Sequence, residues 1–401
     1  MKKNDVDAIL TILKQMEEQF ERNAYGSYDP CDIKALPFII KYYTRFSDRS
    51  YSKYAIYPLE RLIEWFPGVY RWLSGIEKQS FAQSHALIVR GNLLLYKLLN
   101  NSFYLNKSKD LIYWILDQKS GLTKYSAWGQ PYDWFSKNLI PANTPRTTVT
   151  AQILQTVIDL YMMEKNEQWH TIIRDICNFF LFEMIRSKDS EDEVCFSYTT
   201  IDNYKVHNAN MMAASALYRA GQILSDKEIL DTASKCLAFT MNRQNKDGSW
   251  YYYELNDQTP SKIDNYHTGY ILEALAIIKN ILGDQFQYDR NFNMGVEYYL
   301  SEFFQDHTIP KMTPDSLYPI DIQSCAQSII TLVHLSEYLG GSIQLAENVL
   351  KFTLKHFYNN DGWFSYQITR KRHTRKISYI RWGDAWMYLA IISFLKLITD
   401  E

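Results

Sequence analysis

Polar side chains suited to acid–base chemistry gather at the starts of otherwise apolar helical segments. They are Arg146, Thr147 and Thr148; His207, Asn208 and Asn210; Asp264, Asn265, Tyr266 and His267; Asp321 and Gln323; and Arg381, Trp382 and Asp384. Asp133 and Trp134 stand in the loop that precedes Arg146. Two chemistries on a polyhydroxylated substrate suit these residue types. Hydrolysis of a glycosidic bond needs two carboxyl groups across that bond, and Asp133, Asp264, Asp321 and Asp384 can supply a pair. Proton abstraction beside a uronate carboxylate needs a neutralising Arg or Asn and a His or Tyr acid/base. Arg146, Asn208, His207, Tyr266 and Arg381 are of those types. The spacing does not choose between the two. The catalytic candidates are His207, Asp264, Tyr266, His267 and Asp384. The substrate-binding candidates are Asp133, Trp134, Arg146, Asn208, Asn210, Trp250, Asp321, Trp363, Arg381 and Trp382.

Each candidate also has a plainer explanation. Asp and Asn at helix starts satisfy free backbone N–H groups, which would account for Asp264 and Asn208. Asp384 would simply favour the helix dipole. Arg146 and Arg381 resist that explanation, because a cation at a helix N-terminus opposes the dipole and calls for an anionic partner or ligand. His207 and His267 occupy equivalent places in adjacent segments, but no third ligand at helical spacing accompanies them, so no metal is expected. No other cofactor is expected either. There is no Walker loop, no GxGxxG after a strand and no GxSxG elbow.

The elements that must position these residues repeat along the chain. Segments at 80–99, 146–163, 207–224, 266–282, 320–339 and 381–398 begin polar and run into apolar helix. Their starts recur at intervals of about 60 residues, longer than common helical solenoids. Between them lie amphipathic segments at 6–22, 107–117, 167–185, 227–243, 290–304 and 343–357. Helices apolar on most sides are buried, and amphipathic ones are half-exposed. The alternation therefore predicts an all-α fold, an (α/α)6 barrel or toroid of six hairpins with the apolar helices inside. The outer-to-inner loops repeat as well: Asp247-Gly248-Ser249-Trp250-Tyr251 parallels Asp361-Gly362-Trp363-Phe364. Asp-Gly before aromatics is a turn with a positive-φ glycine, then an extended stretch, so short β-hairpins are expected on that face. The inner-to-outer loops are shorter. Residues 25–72 fit no repeat and are expected to pack across one end. No linker divides the chain, so a single domain over 1–401 is expected.

Composition bounds the remaining possibilities. The 401 residues are 46% hydrophobic with a net charge of −2, so no global field attracts nucleic acid. The 31 Tyr and 10 Trp suit a cleft whose walls stack sugar rings. The basic run 370–376 is expected to be an exposed turn or a contact to an acidic glycan. Five scattered cysteines form no CxxC pair, as suits free thiols in a reducing compartment. Asp5 and Asp7 stand where a secretory signal needs an apolar run, and no apolar stretch reaches membrane-spanning length. A cytoplasmic protein is expected. The partner expected is an oligosaccharide, and no nucleic acid.

Several elements resemble VpsJ-type polysaccharide-biosynthesis proteins. They are Tyr28-Asp29-Pro30-Cys31-Asp32, Val206-His207-Asn208-Ala209-Asn210, Asp247-Gly248-Ser249-Trp250-Tyr251, Asp264-Asn265-Tyr266-His267-Thr268-Gly269-Tyr270 and Ile380-Arg381-Trp382-Gly383-Asp384. They occur in order over nearly the whole chain. The C-terminal helical domain of glucuronyl C5-epimerases is similar by a looser pattern. The resemblance implies an α/α barrel and a place in capsule, exopolysaccharide or lipopolysaccharide synthesis, with a polysaccharide precursor and other polysaccharide-biosynthesis proteins as partners, but brings no settled reaction. Cys31 replaces the usual aromatic. The function expected is glycan binding in the barrel funnel with hydrolase-, lyase- or epimerase-like chemistry. A non-catalytic glycan-binding or scaffold protein is the alternative. An isoprenoid-handling toroid is a minor one, and would require an apolar cavity floor.

Overall fold

The computed structural model describes residues 3–46, 67–135, 138–187, 190–254 and 261–400. In chain order its helices are α1 (Lys3–Arg22), α2 (Pro37–Phe46), α3 (Pro67–Leu73), α4 (Ala82–Leu99), α5 (Ser102–Asp117), α6 (Thr147–Glu164) and α7 (Glu167–Phe182). They continue as α8 (His207–Leu224), α9 (Lys227–Met241), α10 (Asn265–Leu282), α11 (Asp289–Glu302), α12 (Ile322–His334), α13 (Ser342–Phe357) and α14 (Ala385–Asp400). Helices α4, α6, α8, α10, α12 and α14 form an inner ring, in which each packs against the next and α14 packs against α4. Helices α1, α5, α7, α9, α11 and α13 lie outside. The result is the expected α/α toroid. No helix among the described residues is long and apolar enough to cross a membrane.

Local sequence makes one face of the ring plain. After α4, α6 and α8 the chain turns through Asn100, Lys165 and Ser225, each left-handed with φ near 50°. The next residue is Asn101, Asn166 or Asp226, whose side chain accepts a hydrogen bond from the start of the following outer helix. A left-handed residue ends one helix and an Asx cap begins the next. Two residues thus suffice to reverse the chain.

The opposite face carries the long loops. The expected positive-φ glycines are present: Gly248 has φ 92° and Gly362 has φ 82°. A Cβ on Gly248 would lie 2.2 Å from the Met294 carbonyl oxygen of α11, and one on Gly362 would lie 2.1 Å from that of Gln15 in α1. Each Asp-Gly turn thus tucks against the next outer helix, and the sixth hairpin docks on the first. Paired strands occur in several loops, at Trp134–Phe135 with Leu139–Ile140, at Phe304–Gln305 with Ile309–Pro310, and at Tyr358–Asn359 with Trp363–Phe364. The segment after α1 crosses this face: Gly26–Ser27 pairs with Gln79–Ser80, and Asp29 pairs with Arg381. Residues 47–66 of the expected crossing segment lie outside the described residues.

Aromatic residues of these loops are pinned to the inner helices at equivalent positions. Thr150, Asn210 and Asp384 accept backbone hydrogen bonds from Trp128 (3.1 Å), Phe196 (3.1 Å) and Phe364 (2.8 Å). Those three aromatics are buried, as is Trp250, whose ring covers Gly295 and whose Nε1 donates to the Thr240 carbonyl. Much of the aromatic surplus is therefore core.

Candidate active site

Each inner helix turns one stripe of residues toward the ring axis. On α6 the stripe is Thr148, Gln152, Gln155 and Asp159; on α8 it is Asn208, Met212, Ser215 and Arg219; on α10 it is Tyr266, Tyr270, Glu273 and Ile277. The spacing of four, three and four keeps each set on one helix face. The inner helices are therefore apolar toward their neighbours and polar toward the axis.

At the long-loop face the axis opens into a cavity of about 360 Å3. Helix starts supply Arg146, Tyr266 and His267, and the turn before α14 supplies Arg381 and Trp382. Loops supply Cys31, Gln130, Tyr132, Trp134, Tyr198, Tyr204, Tyr252 and Tyr253. Below lies a recess of about 80 Å3 lined by Gln83, Thr148, Gln152, Asn208 and Gln323 together with Met212, Tyr270 and Trp386. Among the described residues, the lining of cavity and recess contains one imidazole and no carboxylate.

That imidazole is His267. Its Nδ1 lies 2.7 Å from Asp264 Oδ2, while Asp264 Oδ1 accepts the His267 backbone N–H at 3.0 Å. Asp264 is thus a helix cap, as its plainer explanation holds, and also the orienting partner of His267. With Nδ1 engaged, Nε2 is the position left for proton exchange. Tyr252 packs on the ring with centroids 4.2 Å apart, and Tyr266 at 4.3 Å. Burial holds both phenols well above the usual tyrosine range, so they are hydrogen-bond donors.

The two arginines behave differently. Arg381 is buried and ion-paired with Asp29, which also accepts from Tyr132 (2.9 Å) and Cys31 N (2.8 Å). The Tyr-Asp-Pro-Cys-Asp element therefore neutralises one cation of the mouth. Arg146 caps α6 without a capping hydrogen bond, bonds the Tyr198 hydroxyl and lies over the Trp134 and Tyr198 rings. Its buried Nε has no hydrogen-bond partner.

Other expected site residues lie apart from the cavity. His207 is buried against Phe239, where burial and the nearby Arg243 cation bring its imidazole down to about 3. Asp384 accepts from Phe364 N and from Ser378 Oγ at 2.5 Å, and burial raises it to about 6. The catalytic role expected for each does not fit this placement. Asp384 and Asn210 pin loops, for the repeat-wide reason given above. Asp321 caps α12 and accepts from Gln367 (2.6 Å) and the Trp382 indole (3.2 Å), and burial raises it to about 6. It orients Trp382 and does not line the cavity. Trp250 is core, Trp363 pairs in its hairpin, and exposed Asp133 accepts from Ala142 N. Asn208 does line the recess, but Val206 holds the cap position of α8. Gln83, Gln152, Tyr132, Tyr198 and Tyr252 were not among the candidates. Gln152 was within reach, since it lies four residues after Thr148 on the same helix face. The tyrosines lie on irregular loops and carry no such signal.

No sequence profile of a known family matches the chain, and no curated protein does. Solved structures define the class as α/α toroids. A sugar epimerase from a ruminal bacterium superposes with a TM-score of 0.62 at 11% identity, over 81% of this chain and 90% of that one. Cellobiose 2-epimerase from Bacillus thermoamylovorans gives 0.62 at 9% identity, over 80% and 88%. A D-mannose isomerase gives 0.60 at 13%, over 80% and 87%. At these identities the likeness is one of fold.

Proposed function

We propose that this protein binds a saccharide in the toroid mouth and performs proton transfer at a sugar carbon, as an epimerase, isomerase or lyase does. The observation that carries this reading is the Asp264–His267 pair, 2.7 Å apart, in a cavity whose lining holds no carboxylate among the described residues. Glycoside hydrolysis by two carboxyl groups finds no pair among the described lining residues. His267 Nε2 takes a proton from a carbon next to a carbonyl or carboxylate. The electron pair moves into that C–O group, and Arg146 faces the developing oxyanion. Tyr266 donates a hydrogen bond beside it. Return of a proton to the opposite face from a tyrosine hydroxyl of the cavity, which regains one from the imidazolium through solvent, inverts the carbon, whereas expulsion of a β-alkoxide, protonated by the imidazolium, cleaves a glycosidic bond. Tyr and Trp walls suit sugar rings, and the fold is shared with proteins named as sugar epimerases and isomerases. The resemblance to VpsJ-type proteins supports a cytoplasmic place in surface-polysaccharide synthesis, on precursor glycans.

The test is incubation with a panel of saccharides in D2O, followed by NMR and mass spectrometry. Deuterium is expected at one sugar carbon, and is expected to be lost in His267→Ala. New reducing ends without deuterium would show hydrolysis instead. A sugar that binds and returns unlabelled would make the protein a glycan-binding scaffold.

A further inference from the structure

The recess beneath the cavity carries polar atoms that no described residue satisfies. Gln152 Oε1 and Asn208 Oδ1 are buried and have no hydrogen-bond partner. Their residues are 4% and 3% exposed. Buried acceptors left unpaired cost about 1–3 kcal/mol each, so they call for donors from outside. Sugar hydroxyls are such donors. The recess narrows below to about 30 Å3 between Met212, Tyr270 and Trp386, so a sugar chain enters by its end and does not thread through.

Arg146 borders both the cavity and the recess. Among the described residues no carboxylate pairs with it, its Nε is free, and Arg381 beside it is already neutralised by Asp29. Arg146 is therefore the arginine of the mouth that has no carboxylate partner among the described residues, and it carries a planar fork. A singly charged planar carboxylate matches that charge and shape, whereas a phosphate would bring excess negative charge.

Resting on the proton-transfer reading above, we propose that the substrate is the terminal residue of an acidic glycan. It is a hexuronate whose carboxylate lies on Arg146 and whose ring hydroxyls donate to Gln152 and Asn208. The carboxylate then acidifies the neighbouring carbon that faces His267.

Titration calorimetry with methyl glucuronides, the matching methyl glucosides and glucose 6-phosphate tests this. The wild-type protein is expected to bind a glucuronide at least tenfold more tightly than the glucoside. Arg146→Gln is expected to abolish that preference, and Asn208→Ala to weaken both glycosides alike. Equal binding of glucoside and glucuronide by the wild type overturns the inference whether or not the variants fold. Tighter binding of the phosphate overturns it too, as does equal binding of an oligoglucuronide blocked at both ends. Deuterium exchange on neutral sugars only would leave the proton-transfer reading standing and sink this one. Arg146-dependent uronate binding without exchange would do the reverse.

Discussion

The two ends of the ring axis hold similar residues in opposite states. At the base, Arg90 and Arg219 both grip Asp159, at 2.9 and 2.6 Å. Burial pushes the Asp159 carboxyl up, but the two arginines more than offset it and hold it below the usual carboxylate range. Gln327 donates to Glu273, with His334 beside it. These charges are spent on one another, even though a cavity of about 460 Å3 opens there. At the mouth, Arg146 has no ion-pair partner among the described residues and His267 keeps a ring nitrogen for exchange. A charged cluster in a cavity does not by itself mark a site. A charged member left without an opposite charge, as Arg146 is among the described residues, does.

The comparison can be broken in four ways. The largest effect is expected from His267→Ala, which should slow deuterium exchange by roughly 10^2–10^4-fold while the protein stays folded. NMR exchange rates measure this, and an unchanged rate would remove the imidazole from the chemistry. Next, Asp159→Ala leaves two partly buried arginines unpaired and should cost about 3 kcal/mol in denaturant unfolding. A neutral result there would mean that the base is not held by its ion pairs.

Acid titration of stability gives an intermediate effect. His85 and His207 are lowered by burial to about 4 and about 3. Below the ordinary histidine value of 6.5 the unfolded chain takes protons that the fold refuses, so stability falls as the pH drops. Each group contributes a slope of about 1.4 kcal/mol per pH unit. His207→Gln should remove one share of that slope. Asp384, raised to about 6, has the opposite sign. Between its ordinary 3.8 and 6 the unfolded chain has released a proton that the fold retains, so stability falls as the pH rises through that window. Asp384→Asn should flatten that decline and keep both hydrogen bonds. Urea unfolding from pH 4 to 7 reads both signs. The smallest effect is expected from Arg146→Gln, a change of no more than about 0.5 kcal/mol in stability. A large loss would place Arg146 in the scaffold.

Some of this was legible in the residues alone, for a local reason. The toroid follows from apolar and amphipathic helices alternating at a fixed period, and the Asp-Gly turns from the steric freedom of Gly248 and Gly362. The presence of His267, Asp264, Arg146, Trp134, Asn208, Tyr266, Arg381 and Trp382 around the mouth follows from their place at or near the inner-helix starts. His207 and Asp384 also stand at inner-helix starts and yet face away: His207 comes one residue before the axis-facing position held by Asn208, whereas His267 comes one residue after the matching Tyr266. A helix start fixes height along the axis but not rotation about the helix, and one residue of register turns a side chain by about 100°. Which arginine is neutralised was likewise beyond the sequence, because Asp29 reaches Arg381 across the whole length of the chain. Composition and periodicity determined the ring and the face that carries the site. Only tertiary packing decided which polar groups satisfy one another and which, Arg146 and His267 above all, are left for a ligand.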